Sequence, residues 1–168
     1  MTERSQDELA RVERWLRDQA ASKTLPELFA WVSSKQTDLL SAIRSCSEQA
    51  LTQSASEGEW SPIQAFKHVV EWNHQVGEDV LNVCLTGERP GNPLPEFEAD
   101  HDALITRQQD GLAMLWAHVS EADPEAFLEV TWHHPFFGEL NWREWFLFVG
   151  VHCADHAAQI RAAGTAHA

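Results

Sequence analysis

The sequence predicts an all-α protein, folded as a bundle of four helices. Four long stretches place apolar residues at the three- and four-residue intervals of a buried helix face. Segments rich in glycine, proline and small polar residues separate them, and the apolar–polar alternation of strands is almost absent. A chain of 168 residues without an internal repeat fits one domain that can bury its own core.

An amphipathic segment precedes the bundle. Residues 6–21 carry apolar side chains at helical spacing, namely Leu9, Val12, Leu16 and Ala20. We expect residues 1–25 to form an N-terminal helical extension that packs across the bundle, with a frayed arm as the alternative. The bundle domain is then expected over residues 26–164.

Helix one of the bundle is predicted from Glu27 to about Ala50. Pro26 suits the first turn of a helix. The buried stripe is marked by Leu28, Val32, Leu39, Leu40 and Ile43. The loop that follows is small and polar, and it leads into the start of helix two.

Helix two is predicted from Pro62 to about Leu85, with Gly87 as its stop. Ser61 is a good N-cap and Pro62 a good first helical residue. His68 and His74 lie just off opposite edges of a wide apolar arc, so periodicity does not choose between them. Asn73 lies inside the arc and is expected either to support a site or to satisfy a buried backbone group.

Residues 87–97 contain three prolines and two glycines, so they form a surface loop rather than a helix. Helix three is expected from about Ala99 to Glu121. A small hairpin over residues 130–140 is a further possibility, because β-prone residues flank the turn sequence HPFFG.

Helix four is predicted to begin at Glu139 and to be central to the packing. One face is apolar and consists of Trp142, Trp145, Phe146, Val149, Cys153 and Ile160. His152 and His156 lie on or beside this face at positions i and i+4, with Cβ atoms roughly 5–6 Å apart. That spacing suits two ligands of one metal ion, although a histidine on an apolar face is more often a core residue.

Two stretches resemble the DinB/YfiT-like superfamily. The sequence HPFFGELNWREWFLFVGVHCADHAAQI is similar to the family's last helix, with its His-Pro-x-x-Gly turn and H-x-x-x-H-x-x-Q-I pattern. The sequence EWSPIQAFKHVVEWN is similar to the opening of its second helix, and this match selects His68 on that helix. Cys153 departs from many relatives, in which Asp often follows the first histidine of the pair.

The resemblance implies a DinB/YfiT-like four-helix bundle with long connections. It implies one divalent metal ion, zinc or nickel before iron, bound by His68, His152 and His156. It also implies a homodimer. The function implied is a metal-dependent transferase, isomerase or hydrolase acting on a small molecule, in some relatives a thiol. The alternative is a non-catalytic binding or stress-response module with a structural histidine cluster.

Charge and composition limit the other functions. A net charge of −14 argues against nucleic acid and anionic membranes as partners. Three scattered cysteines favour reduced thiols in the cytoplasm, and the charged N-terminus is not expected to act as a signal peptide. No apolar run approaches the ~20 residues of a membrane span.

Two other chemistries are disfavoured. The E-x-x-H pairs at Glu71 and Glu98 spell a di-iron signature, but Glu71 is expected to point away from the apolar face and Glu98 lies at the loop. Cys153 diverges from His152 by about 100° on a helix, so a thiol–imidazole pair is not expected. Five tryptophans flank the motifs and are expected mainly in the core, secondarily in a pocket wall: Trp60, Trp72, Trp132, Trp142 and Trp145. His133 and His134 are expected first as turn residues.

Overall fold

The computed structural model describes residues 5–89, 91 and 93–165. Its elements in order are α1 (Gln6–Ser22), α2 (Leu25–Arg44), α3 (Glu48–Leu51), α4 (Pro62–Thr86), α5 (His101–Val119), β1 (Thr131–His134), β2 (Gly138–Asn141) and α6 (Trp142–Thr165). The bundle consists of α2, α4, α5 and α6, so the predicted all-α, four-helix fold is confirmed. Within the described residues, no helix is long and apolar enough to cross a bilayer.

The limits of α4 follow the predicted signals closely. Ser61 and Gln64 form a capping box, with the Ser61 N–H donating to Gln64 Oε1 at 3.0 Å. Pro62 occupies the first helical position, where its missing N–H costs nothing. Gly87 closes the helix in the left-handed region at φ 71°, which glycine adopts without steric penalty.

Helix one of the bundle, α2, ends at Arg44, so its predicted extension to Ala50 is wrong. Ser45 caps α2, and its N–H reaches Ser41 O at 3.1 Å. Ser47 then starts the short helix α3, since its hydroxyl accepts the N–H of Ala50 at 3.2 Å. Serine side chains compete with the helix for backbone groups, and here they break it.

Residues 138–141 form β2 rather than the first turn of the last helix, so the predicted start of that helix at Glu139 is wrong. β2 pairs antiparallel with β1, and Thr131 lies opposite Asn141. The side chain of Asn141 then caps α6 by accepting the N–H groups of Arg143 and Glu144. The hairpin considered for this region is therefore present.

Helix α6 packs against α2, α4 and α1, so its predicted central position is confirmed. Gly150 allows the closest approach, because a Cβ there would overlap the ring of Trp31 on α2. From α1, Leu16 is fully buried, and Arg17 pairs with Glu144 of α6 at 3.9 Å. The last helix is thus held from three sides.

Candidate metal centre

Three histidines from two helices converge at one point in the bundle. His68 comes from α4, while His152 and His156 lie one turn apart on α6. The Nε2 atoms of His68 and His152 are 3.4 Å apart, and one nitrogen from each of the three rings lies within 4.8 Å of the others. The structure therefore brings together the three residues expected as ligands.

The chemistry of this donor set fits a divalent transition metal. Nitrogen ligands lie about 2.0–2.1 Å from zinc, which places two nitrogens of a tetrahedral site roughly 3.4 Å apart. The separation of the His68 and His152 Nε2 atoms has this value. Three imidazole nitrogens suit zinc, nickel, iron or copper rather than calcium or magnesium, which prefer oxygen.

The tautomers of the two α6 histidines are set by amide oxygens. His152 Nδ1 lies 3.3 Å from Asn73 Oδ1, and His156 Nδ1 lies 2.7 Å from Gln159 Oε1. An amide oxygen only accepts hydrogen bonds, so Nδ1 carries the proton in both rings and Nε2 keeps its lone pair. Such hydrogen bonds orient the imidazole ligands of metal sites.

Gln159 was not anticipated as this partner, although it is the Gln of the H-x-x-x-H-x-x-Q pattern. Asp155, the neighbour considered for that role, lies exposed on α6. Asn73 contacts the cluster, which agrees with the first of its two expected roles, that of supporting a site. Both identified partners are amides, so they orient the rings without adding negative charge.

All three rings favour the neutral form that a metal ligand requires. Burial lowers the pKa of His156 to about 4, against a weaker opposing effect of the Gln159 hydrogen bond. Burial, with repulsion from His156 and His68, places the pKa of His152 well below its ordinary value. The pKa of His68 is also lowered by burial, while Glu71 acts in the opposite direction.

Aromatic rings surround the three histidines. Trp60 lies just before α4, and its ring is 4.8 Å from the His68 ring and 6.3 Å from the His156 ring. Trp72 approaches His68 at 6.2 Å, and Phe148 stacks on His152 at 5.6 Å. Trp60 is itself 44% exposed, so it lies at the outer edge of this group of rings.

The other tryptophans near the motifs serve the core. Trp142 and Trp145 are buried, and their indole N–H groups donate to the carbonyls of Ala126 and Trp132. Trp132 stacks on Trp145 with ring centroids 5.2 Å apart. Among the ring contacts of the described residues, only Trp60 and Trp72 of the five contact His68, His152 or His156.

Cys153 is a buried core residue, as expected. It is fully buried, and its sulfur accepts a hydrogen bond from Asn73 Nδ2 at 3.3 Å. Burial raises the pKa of the thiol to about 12, so it stays protonated at neutral pH. A thiolate nucleophile at this position is therefore disfavoured.

The opposite edge of α4 is occupied by the connecting loop. Glu71 was expected to point away from the apolar face of the helix; it is buried against this loop, where its carboxylate accepts the N–H of Phe97 at 2.9 Å and pairs with Lys67 at 3.0 Å. His74 packs edge-on to Phe97 at 5.5 Å and pairs with Glu78 at 3.2 Å. The geometry thus separates His74 from the cluster and leaves His68 as the α4 member.

His134 is a buried residue with a defined role in the hairpin. It is 3% exposed, whereas the neighbouring His133 points to solvent. Its Nδ1 accepts the N–H groups of Phe136 and Phe137 at 3.1 and 3.3 Å, which closes the turn. The turn sequence HPFFG indicated that His134 would be a turn residue, but it did not indicate that the side chain would be buried.

Protonation of His134 is expected to destabilise the fold. Burial lowers its pKa from 6.5 to about 4, so between these values the unfolded chain binds the proton and the native state does not. Stability is then full above pH 6.5 and is lost as pH falls towards 4, by at most about 3 kcal/mol from this residue. The measurement is urea unfolding at several pH values.

His134→Asn provides the control for that prediction, because the asparagine oxygen can replace Nδ1 as acceptor but does not titrate. The variant is expected to be less stable at pH 7 through lost ring packing, yet to lose less stability on acidification than the wild type. Equal acid sensitivity of the two proteins would assign the effect to other groups.

Comparisons with known proteins agree with this architecture. The sequence profile of the DinB superfamily matches residues 32–160, a range that includes all three histidines. The chain is also similar to the crystal structure of TT2238, a four-helix bundle protein, with 26% sequence identity and a TM-score of 0.59. That match covers 83% of this chain and 99% of the other. No curated protein gives a significant match.

Proposed function

The chain belongs to the DinB superfamily, and from this premise we propose that it binds one divalent metal ion through His68, His152 and His156. Zinc or nickel is the proposed metal, with iron third. The observation that supports this proposal best is the pair of α6 histidines whose Nδ1 atoms meet the amide oxygens of Asn73 and Gln159, which leaves both Nε2 lone pairs free; that of His152 lies 3.4 Å from His68 Nε2.

The function proposed for the metal is to assist transfer, isomerisation or hydrolysis on a small molecule. Three neutral imidazoles leave at least one coordination position for water or substrate, as in catalytic zinc sites. A bound divalent ion there supplies positive charge that lowers the pKa of water or stabilises a thiolate. The neutral amide partners add no charge that would offset this effect.

The surrounding residues support a small organic substrate. Trp60 and Phe148 provide apolar surface beside the histidines, and Trp60 is partly exposed. Apolar walls with a few convergent polar groups are typical of small-molecule sites. A thiol or thiol adduct is the substrate class that the family resemblance suggests.

The first test is elemental analysis of protein purified without a nickel column or added metal. We expect about one equivalent of zinc or nickel per chain. The second test is thiol-dependent loss of an electrophile such as monochlorobimane, which should stop on chelation and return with metal. Metal binding without turnover across a broad panel of thiols and electrophiles would favour the non-catalytic binding module.

Self-association and location extend this proposal. We expect a homodimer, measured as about twice 19.0 kDa by light scattering at micromolar concentration; a monomer mass there would contradict it. All three cysteines are unpaired, which suits the reducing cytoplasm proposed as the location.

A further inference from the structure

A network of buried polar side chains lies behind His152 and connects it to α5. Asn73 presents Oδ1 to His152 Nδ1 at 3.3 Å. On its other side, Asn73 Nδ2 donates to Gln108 Oε1 at 3.4 Å and to Cys153 Sγ at 3.3 Å. Gln108 is only 4% exposed, although it lies in the apolar stripe of α5. A buried amide in such a position requires partners.

The orientation of the Asn73 amide determines what His152 meets. Turned by 180°, Asn73 would present an N–H to Nδ1 and would favour the tautomer with the proton on Nε2. That tautomer has no lone pair at Nε2, the atom that faces His68 at 3.4 Å. The acceptor oxygen of Gln108 opposes this rotation, because the turned amide would place two oxygens against each other.

Gln108 is itself held in place by two contacts. Its Nε2 donates to Cys153 Sγ at 3.9 Å, a long bond that nevertheless directs Oε1 towards Asn73. Its backbone carbonyl accepts from Gln36 Nε2 at 2.6 Å. Side chains from α2, α5, α4 and α6 thus meet in one connected set.

We propose that Gln108 is a positioning residue for the metal centre, which fixes the Asn73 amide and thereby holds His152 as the Nδ1–H tautomer with Nε2 free to bind. The expected effect of Gln108 on metal affinity rests on the proposed function, whereas the tautomer of His152 is a property of the metal-free chain. Gln108 touches neither metal nor substrate, and it acts only through Asn73.

The test compares two buried glutamines. Gln108→Met keeps the length of the side chain but removes the acceptor, while Gln36→Met removes the bond between α2 and α5 and leaves the Gln108 amide in place. The ¹⁵N shifts of the His152 ring in metal-free protein report the tautomer. We expect Nδ1–H in the wild type and in Gln36→Met, and a mixture of tautomers in Gln108→Met.

Metal affinity gives a second readout, by Zn²⁺ titration against a chromophoric chelator. Gln108→Met is expected to weaken Zn²⁺ binding by about two- to tenfold, the reciprocal of the fraction that keeps the Nδ1–H tautomer. Gln108→Glu keeps an oxygen towards Asn73 and should restore the tautomer. If Gln108→Met does not fold, Gln108→Asn takes its place in both measurements. Its side chain is one methylene shorter, so the amide lies farther from Asn73.

The outcomes separate the two proposals. A wild-type tautomer in Gln108→Met, or an equal change in Gln36→Met, would overturn the positioning role. If the wild type binds no Zn²⁺ but Gln108→Met still changes the tautomer, the positioning role stands and the metal proposal fails. If the wild type binds Zn²⁺ and Gln108→Met matches it in both readouts, the metal proposal stands and the positioning role fails.

Discussion

Replacing His156 or His68 by alanine is expected to lower Zn²⁺ affinity more than about 100-fold, beyond the range seen when only an orienting partner is lost. Each variant removes one of the three nitrogens that lie within 4.8 Å of one another. His156 is buried and its ring is neutral at pH 7, so the loss reflects a missing ligand rather than a change of charge. Competition with a chelator measures the affinity directly.

His74→Ala is the matched control for this experiment. His74 lies on the same helix as His68, but it pairs with Glu78 and packs against Phe97. It should bind Zn²⁺ like the wild type. Loss of binding in His74→Ala together with normal binding in His68→Ala would show that the α4 ligand is wrong. Wild-type binding in all three variants would reject the site.

Thermal unfolding provides an independent measurement of the same effect. A ligand that binds only the native state stabilises it by about 2.7 kcal/mol at a hundred times its dissociation constant. Added Zn²⁺ should therefore raise the Tm of the wild type and of His74→Ala. It should leave His68→Ala and His156→Ala nearly unchanged.

Arg143→Met is expected to destabilise the fold by about 1–3 kcal/mol. The guanidinium is 5% exposed and donates to the carbonyls of Pro124 and Lys23. It thus ties two connecting segments to the start of α6. Methionine fills a similar volume but removes the donor of these two part-buried hydrogen bonds, and their loss costs free energy.

Urea unfolding measures this effect, and Arg161→Met is its control. Arg161 also lies on α6 and donates to a carbonyl, that of Asp38, but the bond is exposed. Water can replace it, so the expected change is within about 0.5 kcal/mol. A similar loss of unfolding free energy in both variants would show that burial does not increase the contribution of Arg143.

Local signals in the sequence predicted the elements where one dominant cue was present. Ser61 and Pro62 start α4 and Gly87 ends it, because a cap or a left-handed residue acts within one turn. Where two cues competed, prediction failed: apolar spacing continued past Arg44, but serine caps ended α2 there. The start of α6 also depended on pairing between β1 and β2, which is not a local property.

Some residues of the candidate site also followed from local signals, whereas others depended on tertiary contacts. The i, i+4 spacing puts His152 and His156 on one side of a helix whatever the rest of the chain does. The choice between His68 and His74 depended on which edge of α4 faces α6. In the structure, the loop that contains Phe97 covers the edge with His74, because Glu71 accepts the N–H of Phe97. The edge with His68 therefore faces α6. Periodicity carries no information about such a contact.

By itself, the sequence determined the all-α class, the main helices and the histidine pair of α6, since each follows from the period of the helix or from a cap. His68 was selected by the resemblance to the family and not by the period of the helix, and the fold places it beside the α6 pair. The tertiary structure decided the burial of Glu71 and His134 and the connection of Gln108 to His152 through Asn73. The physical reason is that these features join residues far apart in the chain. The orientation of a buried amide or carboxylate depends on partners that only the folded bundle brings within hydrogen-bonding distance.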